Sequence, residues 1–219
     1  MKKKYNVIKQ NSEPSDITDD IYWGNVPEIK IDSDSYLWIN NSYRPIVKIK
    51  MFHTKNFIYL KFKVYETKIT VKHTKFGSEV WKDSCVEFFI NPFPEKYKEY
   101  LNIEVNALGI ALVGFGKKRG TANRYRFKKE EIKNWEIISS VKKQTTGKHG
   151  NDFWELYLKI PKSFLKNCYT EYSDLKNCRA NFYKCGDETE YKHYGAWNKI
   201  EYSVPNFHLP KYFGELHFL

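Results

Sequence analysis

At 219 residues, 41% hydrophobic and 17% aromatic, the chain has material for one sizeable core, read as a single domain over residues 1–219. No run approaches the roughly 18 apolar residues of a membrane span, so no membrane partner is expected. The net charge is +11, from 37 basic and 26 acidic residues, but the lysines are dispersed and read as a solvated, basic surface.

The chain opens on Met1-Lys2-Lys3-Lys4 with no apolar h-region behind it, which predicts a cytoplasmic protein unless an export signal has been removed. Tyr5–Gln10 reads as a short strand. The rest of residues 1–44 reads as an Asn/Asp/Ser-rich loop whose aspartates lack EF-hand spacing. Ile46–Met51 and Ile58–Tyr65 alternate apolar and charged residues, the mark of half-buried antiparallel strands, with His53-Thr54-Lys55-Asn56 as their turn. Residues 66–79 read as a long polar loop.

Val80–Ile90 and Tyr100–Asn106 read as two strands around a turn marked by Pro92 and Pro94. On the first, Cys85, Glu87 and Phe89 share a face. On the second, Asn102, Glu104 and Asn106 share one. Asp83, Glu87 and Glu104 are acids among apolar and aromatic neighbours, which a hairpin that only filled a core would not need. Ile110–Phe115 is a further strand, Arg119–Glu131 a basic loop, and Trp135–Val141 and Phe153–Ile160 two more strands joined by a turn at Thr145–Gly150. Pro161–Leu165 suits a short helix with Pro in its first turn. Arg179–Lys184 and Phe213–Phe218 are the last strands. Strand after strand with turn signals predicts an all-β fold, an antiparallel β-sandwich with long loops and one or two short helices.

Glu87, Glu104 and Asn106 lie on adjacent strands, so their side chains can converge. Paired carboxylates can hydrolyse glycosides at the proper separation, or accept hydrogen bonds from sugar hydroxyls. No acid/base pair with a defined leaving-group geometry stands out. The chain is therefore read as non-catalytic, with a carbohydrate-active hydrolase using Glu87 with Glu104 or Asp83 as the alternative. Trp81 stands at the very start of the first of these strands, and Trp197 lies in the late segment His193–Asn198, read as a loop. Indole faces there suit the C–H faces of a sugar ring, although a loop Trp also commonly caps a core edge. Clustering of Lys117, Lys118, Arg119, Arg124 and Arg126 around a groove would favour a second alternative, a nucleic-acid or anionic-polymer partner. None of Cys85, Cys168, Cys178 and Cys185 forms a C-x-x-C pair. With the six histidines (His149 among them) showing no metal spacing, no metal ligands are assigned and the thiols are read as reduced.

Trp81-Lys82-Asp83-Ser84-Cys85-Val86-Glu87-Phe88-Phe89-Ile90, followed by Tyr100–Gly109, resembles the central motif of carbohydrate-binding module family 9-like proteins. Asn181–Asp187, His193-Tyr194, Trp197-Asn198, Phe207-His208 and Phe213–Leu216 are similar to the family's stand-alone branch. The resemblance implies a DOMON-like β-sandwich that binds the end of an oligosaccharide or polysaccharide, in the setting of carbohydrate catabolism. It implies a sugar held between Trp81 and Trp197, with Glu87 as a sugar-contacting acid and Asn106 and Asn198 as further contacts. Calcium accompanies some family members, but no ligand set carries over to this chain, and no other cofactor is implied. Asn181–Asp187 is prominent in this branch. It reads as a buried strand with Cys185 as a small apolar filler, or as the border of another site formed by Asp187 and Glu188 with Arg179 or Lys184.

Overall fold

A computed structural model describes residues 2–66, 68–120, 122, 124–142, 146–148 (backbone) and 153–219. The fold is all-β, two packed layers of one curled sheet, as the alternation predicts.

The first layer contains β1 (Lys4–Lys9), β2 (Glu28–Lys30), β3 (Ile46–His53) and β4 (Phe57–Tyr65). A small separate ladder pairs β5 (Lys68–Thr70) with a strand at residues 146–148. The second layer runs through β6 (Cys85–Asn91), β7 (Tyr100–Asn106), β8 (Ala111–Gly116) and β9 (Arg124–Arg126). The chain then returns to the first layer with β10 (Glu136–Ser139). The strand at 146–148 (Thr146–Lys148) is β11, and β12 (Trp154–Pro161) pairs with β4. A short α-helix, α1 (Lys162–Cys168), leads to β13 (Asn177–Gly186), β14 (His193–Ala196) and β15 (Gly214–Phe218). No helix among the described residues is long and apolar enough to cross a membrane.

The ladders are antiparallel except at β1. Its first four residues pair parallel with β15 and its last two pair parallel with β3, so β1 stitches the two layers into one mixed sheet. The expected sandwich is thus correct in class but not wholly antiparallel. Period-two patterning cannot reveal this, because it fixes which face a residue takes and not the direction of its neighbour.

Other differences are local. Val80–Lys82 forms one 3-10 turn closed by Asp83 N–H donating to Val80 O at 3.1 Å, so β6 starts only at Cys85. The loops expected at 66–79 and 119–131 hold β5 and β9. The helix runs Lys162–Cys168 with Pro161 as its cap instead of in its first turn. Of the turn expected at Thr145–Gly150, residues 146–148 are strand; the rest, with His149, lies outside the described residues. His193–Ala196, expected as loop, is β14, paired to β13.

The main core lies between the layers. Val86, Phe88 and Ile90 of β6 and Phe182 of β13 face Ile49, Leu60 and Leu158 of the first layer. The opposite face of β6, β7 and β13 is also covered. There Phe89, Tyr100, Tyr183 and Phe213 pack beneath Leu37, Trp38, Phe207 and Leu209 from loops. This second, outer cluster stops short of the sheet end and leaves a cavity.

Candidate ligand-binding site

Register builds the floor of the cavity. Glu87 of β6 lies opposite Glu104 of β7 and Tyr183 of β13, and Glu104 lies opposite Leu112 of β8. One step along, Cys85 pairs with Cys185, which pairs with Tyr194. One step the other way, Asn102 pairs with Gly114, which pairs with Arg126. Strand alternation points all of these side chains outward, away from the main core. The cavity, about 270 Å³, is lined by Glu87, Glu104, Asn102 and Cys185 below. Trp38, Trp81, Tyr194 and Phe207 border it, with Arg119, Arg124, Arg126, Asp187 and His208 around them.

A hydrogen-bonded relay holds the floor. Asn102 Nδ2 donates to Glu104 Oε1 at 2.7 Å, and Asn102 Oδ1 accepts from Arg124 Nε at 2.9 Å. Arg124 in turn donates to the carbonyls of Tyr100 and Gly116 and lies over the Tyr100 ring at 4.4 Å. Gly114 is required beneath this relay, since a Cβ there would lie 2.5 Å from Asn102 Oδ1. Burial pushes the Glu104 carboxyl up to about 7, against the opposing pull of Asn102 and the arginines. Burial raises Glu87 well above the carboxylate range, reinforced by the neighbouring Cys185 and Glu104. Its Oε1 accepts a hydrogen bond from Cys185 Sγ at 3.0 Å.

The walls are aromatic. Trp81 is half-buried, with Arg126 over its ring at 5.8 Å. Trp38 packs on Tyr194 and on Phe207, each at 5.9 Å, and Phe207 stacks on Tyr183 at 4.1 Å. Trp38 has φ 64°, a left-handed conformation that costs a bulky residue of order 1–3 kcal/mol. Its indole N–H donates to Tyr202 O at 2.6 Å, which fixes the ring against the segment carrying Phe207.

Of the residues singled out in the sequence, Trp81, Glu87 and Glu104 meet at this cavity. Trp197 does not. Its N–H donates to Phe182 O, and its indole lies in the main core, 4% exposed and edge-on to Phe182 at 5.6 Å. Pairing of 193–196 as β14 sets the alternation, and Trp197 takes the inward parity. Trp81 and Trp197 therefore do not face each other across the cavity. Asn198 also lies outside the cavity, tying Lys3 N–H to Tyr212 O through its side-chain amide. Asn106 is fully buried, donating to His73 O and Asp83 Oδ2. Asp83 is buried too; its carboxylate accepts the amides of Lys72 and His73, both at 3.0 Å, and acts as a loop clasp, not as an acid facing a ligand. Of the residues read as bordering another site, Asp187 lines the cavity, Lys184 points into the core, Arg179 pairs with Glu215 at 3.1 Å and Glu188 pairs with Lys82 at 3.1 Å.

Of the basic cluster weighed for an anionic partner, Arg119, Arg124 and Arg126 line the cavity and Lys117 and Lys118 do not. Tyr194 and Phe207 entered only as motif residues, and Trp38 was not legible as a site residue. Trp38 carries one usable signal: Leu37-Trp38-Ile39 is an apolar triplet stranded in an Asn/Asp/Ser-rich segment.

His208 forms a hydrogen bond to Tyr100 Oη at 2.8 Å. Burial, aided by Arg124, Arg119 and Arg126, depresses its pKa from 6.5 to about 3. The folded state therefore resists a proton that the unfolded chain takes up below pH 6.5. The contribution is present above that pH and is lost as pH falls toward 3. Relative to His208→Gln, the wild type should lose about 3 kcal/mol more of its unfolding free energy between pH 7 and pH 4. Urea titrations at the two pH values measure this, and parallel pH profiles would contradict it.

The comparisons with known proteins bear on the family and the fold. The family model described as carbohydrate-binding family 9 matches residues 22–218. A Bacteroides uniformis structure, provisionally described as a carbohydrate-binding protein, superimposes with TM-score 0.86 at 28% identity, covering 100% of both chains. A family 9 carbohydrate-binding module from Caldicellulosiruptor kristjanssonii, solved with glucose, gives TM-score 0.64 at 14% identity over 99% of this chain and 96% of the module. The cellotriose complex of a module from the same organism gives 0.61 at 15%, over 99% and 93%. At those identities the two modules share the fold alone. No curated protein matches the sequence. With the family model matching nearly the whole chain, this protein belongs to carbohydrate-binding family 9.

Proposed function

We propose that the protein binds carbohydrate without transforming it, taking the end of an oligosaccharide or polysaccharide into the outer-face cavity. The observation that carries this reading is the union of aromatic walls with a floor of hydrogen-bonding groups. Trp81, Trp38 and Phe207 offer ring faces to sugar C–H groups, and Glu87, Glu104 and Arg126 offer partners to hydroxyls. At about 270 Å³ the cavity is at the small end of the roughly 300–1,000 Å³ typical of ligand sites, which suits a terminal residue. Binding is weak in such an open site, because few ligand atoms are buried. Membership of carbohydrate-binding family 9 supports the reading, and relatives solved with glucose and cellotriose make these the first ligands to try.

A hydrolase needs its two carboxyl groups on either side of the scissile bond. Glu87 and Glu104 are cross-strand neighbours on one sheet face and approach a ligand from the same side. A second reading, an anionic polymer, draws on Arg119, Arg124 and Arg126, which line the same cavity. It predicts affinity that falls steeply with salt, whereas a neutral sugar barely responds.

Glycan-array screening followed by calorimetry with glucose and cellotriose tests the proposal. Trp81→Ala should weaken binding at least about tenfold, or about 1.4 kcal/mol. Silence across the array, or a Trp81→Ala variant that binds as well as wild type, would count against carbohydrate in this cavity.

A further inference from the structure

We infer that Cys85, Glu87 and Cys185 form a site for a thiophilic divalent cation of the zinc class. The inference does not require a sugar in the cavity, although Glu87 belongs to both readings.

Three donor atoms from these residues lie within 4.8 Å of one another, and all three residues are buried. Cys85 and Cys185 are free thiols directly opposite each other on β6 and β13. Glu87 follows two residues after Cys85, on the same sheet face, and already accepts the Cys185 S–H at 3.0 Å. Zinc binds thiolate at about 2.3 Å and carboxylate at about 2.0–2.2 Å, which puts tetrahedral donors roughly 3.6–3.8 Å apart. Small side-chain rotations close the remaining gap, while the paired backbones of two central strands hold the cluster in place.

The donor set selects the ion. Two sulfur ligands disfavour calcium and magnesium, which take oxygen, and favour zinc or its softer relatives. A divalent cation would offset two of the three negative charges of two thiolates and a carboxylate in a buried place, where unpaired charge is costly. Glu87 and Cys185 also line the cavity, so a fourth ligand would enter from that side. Three protein ligands with one open position is a recurrent zinc arrangement. The absence of C-x-x-C spacing argued against zinc from the sequence. The structure supplies the missing proximity by strand pairing, between residues far apart in the chain.

Cobalt is the probe. Full-length protein, reduced and with its thiols counted beforehand, is titrated with Co²⁺ and followed by absorption. The expected result is one saturating equivalent with a thiolate-to-cobalt charge-transfer band in the near ultraviolet, bleached by Zn²⁺. Cys85→Ser and Cys185→Ser should each weaken or abolish the band, Glu87→Gln should weaken Co²⁺ binding at least tenfold, and Cys168→Ser should leave it intact. A wild-type protein with no such band at millimolar Co²⁺ would overturn the site, whatever the variants do. So would a band that persists in the Cys85→Ser/Cys185→Ser double variant, or unchanged affinity in Glu87→Gln.

Discussion

Lys184→Met is expected to lower the unfolding free energy by about 3–5 kcal/mol, the usual penalty for orphaning one partner of a buried ion pair. Lys184 alternates with Cys185, so while Cys185 faces the cavity, the lysine enters the main core, where it is wholly buried. Its Nζ lies 3.3 Å from each Glu66 carboxylate oxygen and donates to His193 Nε2 at 2.7 Å and Cys185 O at 3.0 Å. Glu66 is buried as well and also accepts from Trp154 Nε1 at 3.1 Å. Burial and the lysine's charge hold His193 neutral, well below the ordinary imidazole pKa. The ring donates Nδ1–H to Tyr191 O and accepts the lysine at Nε2, so the network is satisfied only with Lys184 present. The double variant Lys184→Met/Glu66→Gln should recover much of the loss, because neither charge is then left alone. Guanidinium unfolding of both variants measures it. A single variant within about 1 kcal/mol of wild type would mean the network contributes little.

The second large effect is at Trp197. Trp197→Ala should cost about 3–5 kcal/mol, as for other large aromatic truncations in cores. The indole fills space between Phe182 and Gly214, where a Cβ on the glycine would lie 2.6 Å from Trp197 Cζ3. Gly214→Ala should therefore destabilise through the same contact, and its cost should shrink when Trp197 is already Ala. The informative comparison sets Trp197→Ala against Trp81→Ala. Truncation at 197 should lower the denaturation midpoint while the folded fraction keeps its ligand affinity. Truncation at 81 should do the reverse. Equal affinity losses in the two variants would restore Trp197 to the site.

These two residues show where one-dimensional patterning stops. Lys184 lies between Tyr183 and Cys185 in a strand whose alternation is easily read, yet a lysine at an inward position reads as an exception until Glu66 and His193 are placed beside it. Trp197 follows a short segment with glycine and histidine that reads as loop. Only its pairing to β13 makes it strand and assigns the indole a side. Both depend on contacts between residues far apart in sequence, which composition and local period do not encode.

The two strands of the central hairpin, the shared face of Cys85, Glu87 and Phe89, and that of Asn102, Glu104 and Asn106 followed from the sequence by itself. Period-two alternation and the prolines between the strands are local features, and local features survive without a fold. The order in which strands neighbour one another was decided by the tertiary structure. That order made β1 a parallel stitch between layers, drew Trp38, Phe207 and Arg126 onto one cavity, and set Cys85 against Cys185. It also moved Asp83, Asn106 and Asn198 into structural hydrogen bonds, because buried backbone groups there needed partners. A strand shows from its own residues which side chains share a face, but what covers that face is chosen by the whole chain when it buries its apolar surface.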